Sequence, residues 1–171
     1  PRRHLFVLPG NHDWYDGLSS FDFMFCKARY GLADENRIGG WMCPQRRSYF
    51  ALKLPHNWWI WGADIQMSQY LDAGQVLYFQ EVARQMAADP TEAPKVIFCI
   101  AEPSWQIADR QNLQGEGNLD IITQIAVNAG ARVCAVLAGD LHHYSRYYAP
   151  ELRLNFITTG GGGAYFSPTH W

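Results

Sequence analysis

Residues 132–142 read Arg-Val-Cys-Ala-Val-Leu-Ala-Gly-Asp-Leu-His, an apolar run that ends in a polar, glycine-containing turn. The run Arg132–Ala138 shows no alternation of polar and apolar residues, which is typical of a strand buried on both faces in a parallel sheet. Residues 95–101 form a second run of the same kind. These two runs predict a parallel sheet whose faces are covered by other elements.

Helical and strand patterns alternate on either side of these runs. Helices with one apolar face are predicted for residues 17–30, 72–88 and 119–129. Further strands are predicted for residues 4–8, which we expect to be buried, and for two hairpins, 48–54 with 58–63 and 144–149 with 152–158. This alternation predicts one α/β domain over residues 1–171.

The composition limits the classes of function. The chain has 171 residues, and a hydrophobic fraction of 48% excludes general disorder. Its 14 basic and 16 acidic residues give a net charge of −2, so without a basic stripe we expect no nucleic-acid partner. No run approaches the roughly 18 apolar residues of a membrane span. The low charged fraction of 18% and the aromatic fraction of 15% indicate either a deep core or a surface that packs against something absent from this sequence, for which we expect an N-terminal segment.

The four cysteines, Cys26, Cys43, Cys99 and Cys134, form no Cys-x-x-Cys pair, so a zinc knuckle is not expected. Cys99 and Cys134 lie within apolar runs and are interpreted as small buried hydrophobic residues. This cysteine usage favours a reducing compartment, and we expect a cytoplasmic location. Membrane association of a complete protein stays open.

The strongest local motif is Gly10-Asn11-His12-Asp13, which follows the predicted strand 4–8. In α/β folds, ligands gather at the carboxyl ends of strands. An Asn oxygen can bind a hard metal ion, a His can contact a phosphate or protonate a leaving oxygen, and an Asp can hold that imidazole in one tautomer. The alternative is a polar turn, because Asn, Asp and Gly favour turns.

A second motif, Gly139-Asp140-Leu141-His142-His143, follows the strand 132–138. Asp140 and His142 are two residues apart, so on an extended segment both would point to one side and could bind a metal ion. The alternative is a capped turn with surface histidines. We also expect Asn11 and His12 to lie beside Asp140 and His142.

A third motif is the glycine run 160–163, which follows another predicted strand. Its backbone, at Gly161 and Gly162 in particular, could approach a phosphate closely or form an anion-binding nest. The alternative is a flexible loop.

Together, the first two motifs resemble those of the calcineurin-like metallophosphoesterases. Gly10-Asn11-His12-Asp13 is similar to the family's Gly-Asn-His-(Asp/Glu) block, and Gly139-Asp140-Leu141-His142 is similar to its later Gly-His-x-His block. The longer stretches 10–18, 138–144 and 161–170 resemble one uncharacterised subfamily of bacterial and plant proteins. The resemblance covers nearly the whole chain, and the two blocks occur in the family's order.

The resemblance implies a β-sandwich flanked by helices (αββα), an α/β fold that some schemes class as α+β, here incomplete at its N-terminus. It implies two divalent metal ions, Mn or Mg with Fe or Zn as alternatives, that activate water for attack on a phosphate mono- or diester. The partner would be a phosphorylated small molecule or another phosphate ester. By position, Asn11, Asp140 and His142 would be metal ligands, and His12, oriented by Asp13, would contact the phosphate or the leaving oxygen.

The chain also departs from the family pattern. The Asp-x-His and Gly-Asp blocks, which supply most ligands of the first metal, do not precede Gly10, so we expect the C-terminal part of a domain. Ala101 stands where the family has a strand-end His; Glu102 is a candidate substitute and His143 a further candidate ligand. Asp140 replaces the first His of the later block, and an oxygen ligand favours Mg or Mn over Zn.

We therefore expect a metal-dependent phosphohydrolase whose isolated 171-residue chain is inactive. One rival, favoured by Ala101, is a phosphoesterase-like domain that binds a ligand or partner without catalysis; another is an unrelated α/β binding module. Asp64 and Asp72 are interpreted as structural. Three aromatic residues near the motifs either stack on an organic group of the substrate or pack in the core: Trp14, Tyr15 and Trp105.

Overall fold

The structure, a computed structural model, describes residues 3–26, 36–65, 71–88, 92–106 and 117–162. In chain order its strands are β1 (Asn36–Ile38), β2 (Trp41–Cys43), β3 (Phe50–Leu54), β4 (Trp58–Ala63), β5 (Lys95–Ile100), β6 (Arg132–Ala138), β7 (Tyr144–Ala149) and β8 (Leu154–Thr159). Its helices include a 3₁₀ helix (Asn11–Asp16), α1 (Ser19–Phe21) with a following π-helical turn (Asp22–Cys26), α2 (Ala73–Ala87) and α3 (Asn118–Asn128). The predicted mixed α/β class is confirmed.

A six-stranded sheet, in the order β3-β4-β5-β6-β8-β7, contains most of the strands. Its four central strands are parallel, whereas β3 and β7 run antiparallel to their neighbours. Both predicted hairpins, β3–β4 and β7–β8, are therefore confirmed. Because the central strands are parallel, their carboxyl ends at Ala63, Ile100, Ala138 and Thr159 lie at one edge of the sheet.

Helices α2 and α3 pack on one face of this sheet and form the main core with it. Trp61 of β4 stacks on Phe79 of α2, with ring centroids 4.8 Å apart, and both side chains are fully buried. Burial of a side chain of this kind contributes about 1.5–3 kcal/mol. Helix α2 begins where the sequence predicts, because Asp72 Oδ1 accepts a hydrogen bond from the Gln75 backbone N–H at 2.9 Å. The structural role predicted for Asp72 is confirmed.

The other face of the sheet is less covered in the part of the chain that the structure describes. Residues on this face, such as Ile97, Cys99 and Leu137, are only partly buried. Cys99 and Cys134 are therefore not the buried cysteines that the sequence predicted, because alternate residues of a strand face opposite sides. The buried thiols are those of Cys26 and Cys43.

Residues 4–8 do not form the predicted buried strand. His4 is exposed and makes only an isolated bridge to Met42, beside the two-stranded sheet β1–β2. The backbone of Val7 is satisfied by the side chain of Gln45, with hydrogen bonds of 2.7 and 2.9 Å. The prediction was wrong because a side-chain amide takes the place of a strand neighbour for this short apolar run.

Two features between residues 17 and 43 also differ from the prediction. The expected helix 17–30 is broken: Leu18 has a left-handed backbone (φ 65°), and α1 passes into a π-helical turn that ends at Cys26. Residues 27–30 lie outside the described ranges, but Leu18 and Phe21 are buried as predicted. The hairpin β1–β2 was predicted as a loop.

No helix within the described ranges is both long enough and apolar enough to cross a membrane.

Candidate functional site

The 3₁₀ helix Asn11–Asp16 brings the first motif to the edge of the six-stranded sheet. With about three residues per turn, residues three apart in such a helix lie on the same face. Asn11 and Trp14 share one face: Asn11 Nδ2 donates to Asp140 Oδ1 at 2.8 Å, and Trp14 Nε1 donates to Asp64 Oδ1 at 3.2 Å. These bonds anchor the helix to the segments that follow β6 and β4. Asp64, which the sequence analysis interpreted as structural, thus holds the 3₁₀ helix at the border of the site.

His12 and Tyr15 share a second face of the same helix. Their ring centroids are 4.9 Å apart, and both side chains are exposed. Asp13 Oδ2 accepts a hydrogen bond from the Gly10 backbone N–H at 2.7 Å, so this carboxylate closes the first helical turn. Its predicted role in orienting His12 stays a prediction. Asp16, on the third face with Asp13, accepts hydrogen bonds from Ser20 that lower the pKa of its carboxyl.

The second motif forms a tight turn. The N–H of Leu141 donates to the carbonyl oxygen of Gly139, and that of His143 to the carbonyl oxygen of Leu141, each at 2.7 Å. Asp140 has a left-handed backbone, with φ 60°. The segment from Asp140 to His142 is therefore not extended, and the prediction made from the spacing of these two residues is wrong. Left-handed backbone costs a non-glycine residue about 1–3 kcal/mol and is found preferentially at functional sites.

Gly160 allows the end of β8 to approach this turn closely. A Cβ atom at Gly160 would lie 2.0 Å from the carbonyl oxygen of Leu141, and the Gly160 N–H donates to the carbonyl oxygen of His143 at 3.2 Å. The glycines singled out from the sequence, Gly161 and Gly162, have open space around them. The close approach predicted for the run thus falls on its first residue, Gly160, and not on the two glycines singled out; residue 163 and those after it lie outside the described ranges.

These segments line a cavity of about 310 Å³ that is open to solvent, at the carboxyl ends of β5, β6 and β8. Its lining comprises Gly10, Asn11, His12, Ala101, Asp140, His142, Thr159, Gly160 and Gly162. The prediction that Asn11, His12, Asp140 and His142 lie together is confirmed, whereas their chemical roles stay predictions. Thr159 and Gly160 belong to the third motif but were not predicted as site residues; the end of β8 places them in the lining.

The other candidates lie around this cavity or away from it. Ala101 lines it, and the carbonyl oxygen of Ala101 accepts a hydrogen bond from the Gly139 N–H at 3.1 Å. Glu102, His143 and Gly161 are not among its described lining residues. Trp105 packs in the core against Phe156, with ring centroids 5.1 Å apart, so core packing rather than stacking on a substrate applies to this tryptophan.

The three predicted metal ligands all line the cavity and have donor atoms suited to a divalent metal ion: Asn11, Asp140 and His142. Asn11 donates its amide N–H to Asp140, which directs the amide nitrogen away from any metal role and leaves the amide oxygen as the donor. Within the described ranges, no three His, Cys, Asp or Glu side chains form a group able to hold a metal ion. Hard ions such as Mg²⁺ take about six ligands, so these donors fit only part of one coordination shell.

Comparison with known proteins found no match to this chain among protein-family profiles, curated proteins or solved structures.

Proposed function

We propose that the cavity is the phosphoester-binding part of a metal-dependent phosphohydrolase site on a metallophosphoesterase-like fold. The supporting observation is the hydrogen bond between Asn11 and Asp140, which joins two motifs 129 residues apart at the carboxyl edge of the sheet. The bond brings the two motifs together at the edge of the sheet where α/β folds bind ligands. In the proposed fold, a second sheet would cover the partly exposed face of the six-stranded sheet.

His12 is the residue proposed to act on the substrate. It lines the cavity, and it lies on a face of the 3₁₀ helix that the anchoring bonds of Asn11 and Trp14 leave open. In hydrolysis, the oxygen of a water molecule bonds to phosphorus and the P–O ester bond breaks. His12 would hydrogen-bond a phosphate oxygen and give a proton to the departing alkoxide.

The metal ions, proposed as Mn²⁺ or Mg²⁺, would lower the pKa of a bound water and offset the charge of the phosphate. Asn11, Asp140 and His142 would supply the donors that this part of the chain contributes. The described lining contains no Lys or Arg, so the proposed anion binding depends on histidine, backbone N–H groups and the metal ions.

One observation favours a second candidate function, a domain that binds a phosphorylated ligand or a partner without hydrolysing an ester. Ala101 lines the cavity at the position where the resemblance implies a metal-binding His. A methyl group cannot ligate a metal, so the second metal would be held weakly or lost. Bound metal without turnover would support this candidate.

The test measures hydrolysis of 4-nitrophenyl phosphate and bis(4-nitrophenyl) phosphate by the complete protein, with metal content determined on the same samples. His12→Ala should lower turnover by roughly 10²- to 10⁴-fold and leave metal content unchanged. His142→Ala should lower both. The control is His56→Asn, which keeps the left-handed turn at the opposite edge of the sheet and should change neither quantity. Unchanged turnover per folded molecule in His12→Ala would remove His12 from the mechanism.

A further inference from the structure

Two exposed tyrosines are neighbours of residues that line the cavity. Tyr15 lies against His12, a lining residue, because the 3₁₀ helix stacks residues three apart. Its side chain is nevertheless 75% exposed, whereas the neighbouring Trp14 is bonded to Asp64. The ring of Tyr15 therefore lies beside a lining residue, and most of its surface is exposed.

Tyr144 lies beside a different lining residue. It begins β7 and pairs directly with Thr159, a lining residue at the end of β8. Side chains directly opposite in an antiparallel pair have Cβ atoms about 4.5–5.5 Å apart and lie on the same face. The Tyr144 side chain is thus next to the cavity, and it is 67% exposed.

The cavity has a polar lining, and exposed aromatic residues lie beside two of its lining residues. Asn11, Asp140 and His142 line the cavity, whereas Tyr15 and Tyr144 stand beside the lining residues His12 and Thr159. The volume of about 310 Å³ lies at the lower end of the range of small-molecule pockets, so there is room for an organic group beside a phosphate. Exposed aromatic rings beside such a pocket are suited to stacking on a flat ligand group.

We propose that Tyr15 and Tyr144 bind a flat aromatic group of the substrate, so that the substrate class is phosphate esters of nucleosides or of other alcohols carrying an aromatic ring. This inference rests on the proposed function of the cavity. Stacking of a base on one aromatic side chain contributes roughly 1–3 kcal/mol, which corresponds to about a 5- to 150-fold difference in affinity.

The experiment compares adenosine 5′-monophosphate with ribose 5-phosphate, each also as its methyl diester, by NMR titration of the 171-residue chain. Within each pair the phosphate group is the same, so the pair differs only in the base. We expect the adenine compounds to bind about tenfold more tightly. Tyr15→Ala and Tyr144→Ala should each reduce this preference and leave the affinity for ribose 5-phosphate unchanged, whereas Tyr15→Phe should keep it.

Tyr147→Ala is the matched control, because Tyr147 is an exposed residue of the same strand whose side chain lies on the opposite face from Tyr144. It should leave the preference unchanged. Equal affinity for the adenine and ribose compounds would overturn the aromatic contacts while leaving the phosphoester proposal intact. Binding of adenosine as tightly as its monophosphate would retain the aromatic contacts and overturn the phosphoester proposal. If neither phosphate compound bound, both proposals would fail.

Discussion

Gly160 lies where the end of β8 comes closest to the turn 139–143. An added Cβ would be 2.0 Å from the carbonyl oxygen of Leu141, and a backbone atom cannot rotate away as a side chain can. We expect Gly160→Ala to lower the free energy of unfolding by about 1–3 kcal/mol, as measured by urea denaturation.

Gly161→Ala is the matched control, since a Cβ at Gly161 meets nothing within 4 Å. Its effect should stay within about 0.5 kcal/mol, the usual range for open surface positions. Equal effects of the two substitutions would show that the close approach at Gly160 has no energetic weight.

The thiol of Cys26 is expected to make the stability of the fold depend on pH. Burial, with a smaller contribution from the nearby Asp22 carboxylate, raises the pKa of the Cys26 thiol to about 12. The unfolded chain loses this proton near pH 9, whereas the folded protein keeps it until about pH 12. The stability that the protonated thiol contributes is therefore complete below pH 9 and is lost as the pH rises from 9 to 12.

The measurement is the free energy of unfolding at several pH values between 8 and 11, for the parent and for Cys26→Ala. The parent should lose stability with rising pH more steeply than the variant, by at most about 1.4 kcal/mol per pH unit. Parallel pH dependences would mean that Cys26 does not carry this linkage.

The side chain of Gln75 connects helix α2 to the candidate site. Its buried side chain accepts a hydrogen bond from the Asp64 N–H at 2.7 Å and donates one to the Asp64 carbonyl oxygen at 3.2 Å. Asp64 in turn accepts the indole N–H of Trp14. The start of α2 therefore supports the end of β4 and, through it, the 3₁₀ helix.

We expect Gln75→Leu to lower the free energy of unfolding by about 1–3 kcal/mol, because it leaves the polar backbone of Asp64 without these partners. Gln85→Leu changes an exposed residue of the same helix and should have an effect within about 0.5 kcal/mol. Thermal or urea unfolding of both variants checks the difference. A neutral Gln75→Leu would contradict the proposed support of the site by α2.

The accuracy of the sequence prediction differed among elements for identifiable physical reasons. The strand Arg132–Ala138 was predicted with its observed bounds, because a continuous apolar run has few stable positions other than the centre of a sheet. Residues 4–8 have a similar composition, but the side chain of Gln45 decides their environment, and a contact 38 residues away has no local signal. The hairpin β1–β2 did have a local signal: Gly39 and Gly40 both have positive φ, as a two-residue hairpin turn requires.

The parallel strands of the sheet explain why the location of the site could be predicted from the sequence, although its geometry could not. Their carboxyl ends share one edge, so turns that follow different strands meet there. Asn11 reaches that edge from outside the six-stranded sheet, and its bond to Asp140 depends on the packing of the 3₁₀ helix. That packing, and the close approach at Gly160, are properties of the folded chain that local sequence patterns do not contain.

Binding of a phosphate ester and its hydrolysis can be measured separately in the 171-residue chain. The described lining offers Asn11, Asp140 and His142 as metal donors, and no group of three His, Cys, Asp or Glu side chains is found within the described ranges. Phosphoryl transfer depends on positioning and on charge stabilisation, chiefly by metal ions. We therefore expect the 171-residue chain to bind phosphate esters but not to hydrolyse them at the roughly 1–10³ s⁻¹ typical of enzymes.

The assay follows release of phosphate or 4-nitrophenol with Mn²⁺ or Mg²⁺ added, in parallel with the NMR titrations on the same preparation. Binding without turnover would match an incomplete metal shell, because the described lining offers only part of the donors and of the positive charge that would stabilise the transition state. Turnover in the enzymatic range that is lost in His142→Ala would contradict the prediction. It would show that this chain completes the metal site with donors outside the described ranges.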